Sequence, residues 1–218
     1  MTQAELAKKI DHTKLQAFAT LADINQLCDE AAACGFAAVA INPAWTSYCA
    51  KRLAGTGVAV DVVVGFPLGA NTSNIKIEEA REAIRHGATE IDMVINIGAM
   101  KSGYTDFVEQ EISALVKAAG RVPVKVILET GYLSPEEKVS VCEMSMRARA
   151  AFVKTATGFG VSGATLEDVR LMRSVVGDQL GVKAAGGIRT YEQAFAMLEA
   201  GATRLGTSAG VDILHQVP

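Results

Sequence analysis

Eight short apolar runs alternate with eight stretches of helical periodicity along the chain, and that alternation leaves few folds open. The apolar runs cover 10–13, 36–41, 58–64, 90–97, 124–128, the segment carrying Lys154, 181–185 and 204–207. Helical patterns fill the intervals 3–9, 20–33, 44–53, 75–86, 104–119, a stretch opening at Ser134, 166–176 and 191–200. In the second of these, Leu21, Ile24, Leu27, Cys28 and Ala31 fall on one face, with Asp23 in the first turn and Gly35 as the stop. At Ser134-Pro135-Glu136-Glu137 a serine cap, a proline in the first turn and an acid three residues on mark a helix start. Strands separated by helices pair in parallel through right-handed crossovers. Eight such units in 218 residues, with no linker or composition break, predict a closed (β/α)8 TIM barrel with a short N-terminal helix, one domain over 1–218. An open doubly wound sheet fits less well, because no G-x-G-x-x-G follows the first strand.

The remaining composition narrows the partners. Half the residues are hydrophobic, and the net charge of -3 comes from interspersed signs, so neither a nucleic-acid footprint nor a polybasic membrane patch is present and a small-molecule partner is expected. Cys28, Cys34, Cys49 and Cys142 lack a C-x-x-C spacing, and His12, His86 and His215 are far apart, which suggests neither a zinc cage nor a disulfide framework. The opening Met-Thr-Gln-Ala-Glu lacks the basic and apolar regions of a signal peptide, and no apolar run nears the about 18 residues of a membrane span. A reducing cytoplasm is the expected location.

Charge inside the strands is the second constraint. A barrel interior is filled mainly by branched apolar side chains, so a charged residue on an inward face must be paired or functional. Lys154 alternates onto the face of Phe152 and Ala156, Asp92 onto that of Val94, Lys125 onto that of Ile127 and Glu129, and Lys183 onto that of Gly181 and Ala185. A lone lysine of this kind is ordinarily one whose stem crosses apolar surface while its head reaches water. Four charged residues on such faces argue for a site, with a structural ion-pair network as the alternative. Two lysines on neighbouring strands, Lys154 and Lys183, repel as ammonium ions, so one loses its proton more easily and becomes a nucleophilic amine. Such an amine condenses with a carbonyl to an iminium, an electron sink for carbon-carbon cleavage, and Asp92 is placed to move the protons. This chemistry calls for no metal and no cofactor.

Glycine suggests how the rest of a substrate is held. Gly186-Gly187 closes the seventh strand and Leu205-Gly206-Thr207-Ser208-Ala209-Gly210 the eighth, and the loops after these strands are the usual phosphate site of such barrels. Tight βα turns are the other explanation of the same glycines.

Four segments in register, Ile10-Asp11-His12-Thr13, Leu128-Glu129-Thr130-Gly131, Val153-Lys154-Thr155-Ala156-Thr157-Gly158-Phe159 and Val182-Lys183-Ala184-Ala185-Gly186-Gly187-Ile188-Arg189-Thr190, give the chain a resemblance to the deoxyribose-phosphate aldolase family along essentially its whole length. The resemblance implies a class I, Schiff-base aldolase that reversibly splits 2-deoxy-D-ribose 5-phosphate into acetaldehyde and D-glyceraldehyde 3-phosphate. By position, Lys154 matches the Schiff-base lysine, Lys183 the lysine that perturbs it and Asp92 the proton-relay aspartate. Gly158, Gly186, Gly187, Gly206 and Ser208 match phosphate contacts, and Asp11 and Thr13 match residues near the substrate hydroxyls. The partners implied are phosphosugar and aldehyde substrates, with no nucleic acid or membrane, and a homodimer is allowed. Two departures stand out. Ala40 occupies a position where some members have an aldehyde-sensitive cysteine, and His215-Gln216-Val217-Pro218 lacks the terminal tyrosine that assists proton transfer in some members. A phosphosugar isomerase on the same barrel, using carboxylates as its acid-base pair, and a non-catalytic sugar-phosphate binder are the competing readings.

Overall fold

The computed structural model describes residues 1–218. Eight parallel strands close into a barrel in chain order: β1 Ile10–Lys14, β2 Ala38–Ile41, β3 Ala59–Val64, β4 Glu90–Val94, β5 Val124–Ile127, β6 Phe152–Lys154, β7 Gly181–Ala185 and β8 Arg204–Thr207, the last pairing back onto the first. The helices are α1 Gln3–Ala7, α2 Leu21–Cys34, α3 Thr46–Arg52, α4 Ser73–Arg85, α5 Ile97–Lys101, α6 Thr105–Ala119, α7 Pro135–Arg147, α8 Leu166–Val176, α9 Tyr191–Glu199 and α10 Gly210–His215. The expected (β/α)8 barrel is therefore the observed fold. No helix is long and apolar enough to cross a membrane.

Local chemistry explains where the elements start and stop. The Ser134 hydroxyl accepts from the Glu137 N–H at 3.2 Å while the Glu137 carboxylate accepts from the Ser134 N–H at 2.7 Å, the reciprocal cap anticipated from the sequence. Such a cap stabilises a helix by about 1 kcal/mol. Gly35 ends α2 with φ 66°, a left-handed conformation that only glycine adopts without cost.

The structure departs from the sequence expectation mainly at strand ends. β2 starts at Ala38 rather than at residue 36, and Phe36, fully buried, packs its ring 4.9 Å from that of His12. β4 ends at Val94 rather than at 97, because Asn96 accepts from the Ala99 N–H at 2.9 Å and starts α5, a helix the apolar run had concealed. Gly210, read as part of the loop after β8, is the first residue of α10, where a Cβ would lie 2.9 Å from the Phe36 ring and 3.0 Å from the His12 imidazole.

The outward faces of the strands and the inner faces of the helices share one hydrophobic cluster of 50 buried residues, including Ile24, Leu27, Val39, Ile91, Ile112, Val126 and Leu205. Each fully buried branched side chain of this kind contributes about 1.5–3 kcal/mol of transfer free energy, which makes the shell the main source of stability. Inside the barrel the chemistry is different.

Candidate active site

Inward-facing side chains of a (β/α)8 barrel stack in layers of four drawn from alternate strands. Here the odd strands supply a middle layer of Asp11, Asp61, Lys125 and Lys183, two acids and two lysines. Below it the even strands supply Ala38, Glu90, Phe152 and Arg204; above it, towards the carboxyl ends, they supply Ala40, Asp92, Lys154 and Gly206. Strand register places each middle-layer residue beside one residue of each other layer, as with Lys183 between Lys154 and Arg204. The bulk in the upper layer is unequal. Ala40 and Gly206 are the small members, Gly206 lines the cavity together with Lys154, and a Cβ at Gly206 would come within 3.2 Å of the Lys183 Cε.

The charged groups form one network. Lys183 Nζ lies 2.5 Å from Asp11, 2.8 Å from Asp61 and 2.7 Å from Asp92. Lys125 Nζ lies 2.6 Å from both Asp61 and Glu90 and 2.9 Å from Asp92. Arg204 closes the floor, donating to Asp11 at 2.6 Å and standing 5.3 Å from the Phe152 ring centroid. Lys154 Nζ has a single acceptor, Asp92 Oδ2, at 2.6 Å. Asp11, Asp61, Asp92, Lys125 and Lys183 have no exposed surface, and Lys154 is 2% exposed.

These surroundings divide the lysines. Burial, which disfavours an ammonium, is the largest influence on Lys154 and lowers its pKa; Asp92 opposes the shift and the Lys183 charge adds to it. Burial also works against Lys183, but Asp11, Asp61 and Asp92 outweigh it and hold that lysine above the ordinary range. The like-charge repulsion inferred from sequence has the expected sign, yet it is secondary to burial. Asp92 is the converse case: burial favours its neutral form, and Lys125, Lys154 and Lys183 overcome that to keep it well below the usual carboxylate range.

Above the network opens a cavity of about 240 Å³, with Lys154 in its wall. Thr13, Gly158, Gly186, Gly187, Gly206 and Ser208 also line it, as does the exposed Arg189. The backbone N–H groups of Gly158, Gly186, Gly187 and Ser208 take part in no hydrogen bond within the protein, which leaves donors free to face an anion. Gly158, Gly186 and Gly187 have φ of 85°, 95° and 82°, so all three are required by their turns as well. Asp11 lies elsewhere. Instead of facing the cavity it sits a layer below, bonded to Lys183 and Arg204.

The sequence pattern alone points to no role for Asp61, Glu90, Arg204 or Glu129. Asp61 carried the signal used for Asp92, a lone acid centred in an apolar strand; Glu90 and Arg204 begin their strands and read as edge residues. Glu129, with φ 55°, accepts from both the hydroxyl and the N–H of Thr157 and so fixes the loop after β6.

A buried lysine beside a carboxylate, in the wall of a cavity rimmed by free backbone N–H groups, is the arrangement an imine-forming aldolase requires. The chain belongs to the DeoC/LacD family of aldolases, whose family model matches residues 6–216. It is 57% identical over 214 residues to the deoxyribose-phosphate aldolase of Caldanaerobacter subterraneus subsp. tengcongensis, covering 97% of this chain and 93% of that one. It is 56% identical over 217 residues to that of Aciduliprofundum boonei, covering 99% and 98%. Among solved structures, the tetrameric deoxyribose phosphate aldolase from Aeropyrum pernix superposes with a TM-score of 0.92 at 34% identity, covering 98% of this chain and 91% of that one.

Proposed function

We propose that the protein is a class I aldolase that reversibly cleaves 2-deoxy-D-ribose 5-phosphate to acetaldehyde and D-glyceraldehyde 3-phosphate, with Lys154 as the imine-forming amine. The observation that carries the assignment of roles is the unequal partnering of the two lysines. Lys183 is held charged by three carboxylates, whereas Lys154 has one acceptor and faces the cavity.

In this reading the Lys154 amine adds to C1 of the open-chain sugar, and Asp92 assists proton transfer as the carbinolamine loses water to give an iminium. The iminium draws the electron pair of the C2–C3 bond into an enamine. C3, losing its hydroxyl proton, departs as the carbonyl of glyceraldehyde 3-phosphate. Protonation of the enamine at C2 and hydrolysis release acetaldehyde and restore the amine. Lys183 keeps Asp92 oriented and ionised. The free N–H groups of Gly158, Gly186, Gly187 and Ser208, with Arg189, hold the phosphate. Thr13 at the cavity wall contacts a substrate hydroxyl, while Asp11 acts from below through Lys183.

Residues 1–218 act as one catalytic domain in this reading, consistent with the closed sheet and single core. Four free cysteines accord with a reducing cytoplasm. A homodimer stays part of the reading, and sedimentation of the purified protein decides it. The activity is tested by incubating the protein with 2-deoxyribose 5-phosphate and assaying both aldehyde products. Both products should form with wild type and neither with Lys154→Ala.

A further inference from the structure

Asp61 is a buried acid for which the reaction above has no use. On β3 it faces Glu90 and Asp92 of β4, Asp11 of β1 and, across the barrel, the ammonium groups of Lys125 and Lys183. Lys154 and Arg204 complete the ion-paired groups of the interior, neighbouring β2 contributes none, and the buried Glu129 carboxylate, bonded to Thr157 outside this network, also acts on Lys154. With every group ionised the network holds four carboxylates and four cations, and it is neutral only while Lys154 is an ammonium. A free amine at Lys154 therefore leaves one uncompensated negative charge in a dry interior, unless a carboxyl binds a proton.

Asp61 is placed to be that carboxyl. Its Oδ2 shares both Lys183 and Lys125 with Asp92, while its Oδ1 is buried with no hydrogen-bond partner. Two acids in one site cannot both ionise freely, and Asp92 is the one fixed as the anion, because it alone touches Lys154 as well as Lys125 and Lys183. We propose that Asp61 is the proton store of the site: as a carboxylic acid it holds the proton that Lys154 loses on becoming a free amine, and returns it by way of Asp92 when the carbinolamine dehydrates. The exchange balances. Neutral amine, aldehyde and protonated Asp61 give iminium, water and ionised Asp61, with no net proton drawn from solvent. Burial, and next the Asp92 charge, raise Asp61 to about 7, which agrees with a proton retained near neutrality. Because Asp61 acts through Asp92, it is a positioning residue of the proton path rather than a group in contact with substrate. The inference rests on Lys154 being the amine that forms the imine.

Isotope-edited infrared spectroscopy tests it on the wild-type enzyme, with carboxyl-labelled aspartate isolating the aspartate bands. A protonated-carboxyl band is expected in the free enzyme near neutral pH. It should fall to about half near pH 7, bleach when acetaldehyde forms the iminium, and be missing from Asp61→Asn. Absence of the band in wild type, its survival in Asp61→Asn, or indifference to acetaldehyde overturns the proposal. In the same variant kcat should fall by about 10²-fold or more, with KM little changed. A raised KM with kcat intact would reduce Asp61 to packing and equally overturn it. Borohydride separates the two levels: an adduct on Lys154 without the infrared band sinks only the proton store, whereas no adduct in wild type sinks the aldolase reading itself.

Discussion

Lys154 and Lys183 are paired across β6 and β7 and converge on the same oxygen, Asp92 Oδ2, at 2.6 and 2.7 Å. One carboxylate oxygen thus touches the amine that faces the cavity and the ammonium buried behind it. Lys183 reaches Lys154 both through space, as a like charge, and through the carboxylate that they share. Removing either partner should have a distinguishable effect.

Lys183→Leu deletes a charge that lowers the Lys154 pKa, so the Lys154 pKa should rise. A higher amine pKa leaves less free amine at neutral pH, and activity should fall there and partly recover in alkali. The same change removes one of the two cations that Asp11, Asp61 and Asp92 share, leaving Lys125 alone among them, at a cost of about 3–5 kcal/mol of stability. The pH profile of kcat/KM and the thermal midpoint check the two effects. An unshifted profile would mean that the lysines do not communicate.

Asp92→Asn acts with the opposite sign on the amine. The Asp92 charge raises the Lys154 pKa, so its loss should lower that pKa and enlarge the free-amine fraction at neutral pH. Turnover should nonetheless drop by about 10²–10⁴-fold, because the group that moves protons is gone. Borohydride should still label Lys154 in this variant, and a label that disappeared with the activity would argue that Asp92 is needed to form the nucleophile.

Arg189 stands exposed at the rim of the cavity, among glycines whose N–H groups are free. Arg189→Leu should raise KM for the phosphorylated sugar by about 10- to 100-fold, the worth of one hydrogen bond to a charged group, and leave kcat within a few-fold. Initial-rate kinetics with phosphorylated and unphosphorylated deoxyribose provide the check, since the second substrate should be insensitive to the change.

Ala40 shares the upper layer with Lys154, and no thiol lines the cavity. The protein should therefore keep its activity in concentrated acetaldehyde, and Ala40→Cys should shorten its half-life there. Rapid inactivation of the wild type, with an adduct found elsewhere, would contradict this.

Much of this arrangement was legible in the sequence, for physical reasons. Alternation of strand and helix periods dictates parallel pairing, and chain length then selects the closed barrel. Lys125, Lys154, Lys183 and Asp92 stood out because a charge at the centre of an apolar strand has to be explained. Asp61 gave the same signal within Ala59–Val64, but its use depends on which charges face it across the barrel, and sequence spacing does not measure that distance. Arg204 and Glu90 stayed hidden because strand ends are ordinarily wet, whereas the floor layer here folds both inward onto Asp11 and Lys125. Asp11 was located on the right strand, but its layer follows from barrel register, which no single strand reveals.

The central claim is that Lys154, and not Lys125 or Lys183, becomes covalently bonded to the substrate carbon. Sodium borohydride added during turnover of 2-deoxyribose 5-phosphate, followed by peptide mass analysis, measures this directly. Irreversible loss of activity should accompany one reduced adduct on the peptide containing Lys154. An adduct on Lys183 or Lys125 instead, or full activity after reduction with no adduct, would contradict the claim.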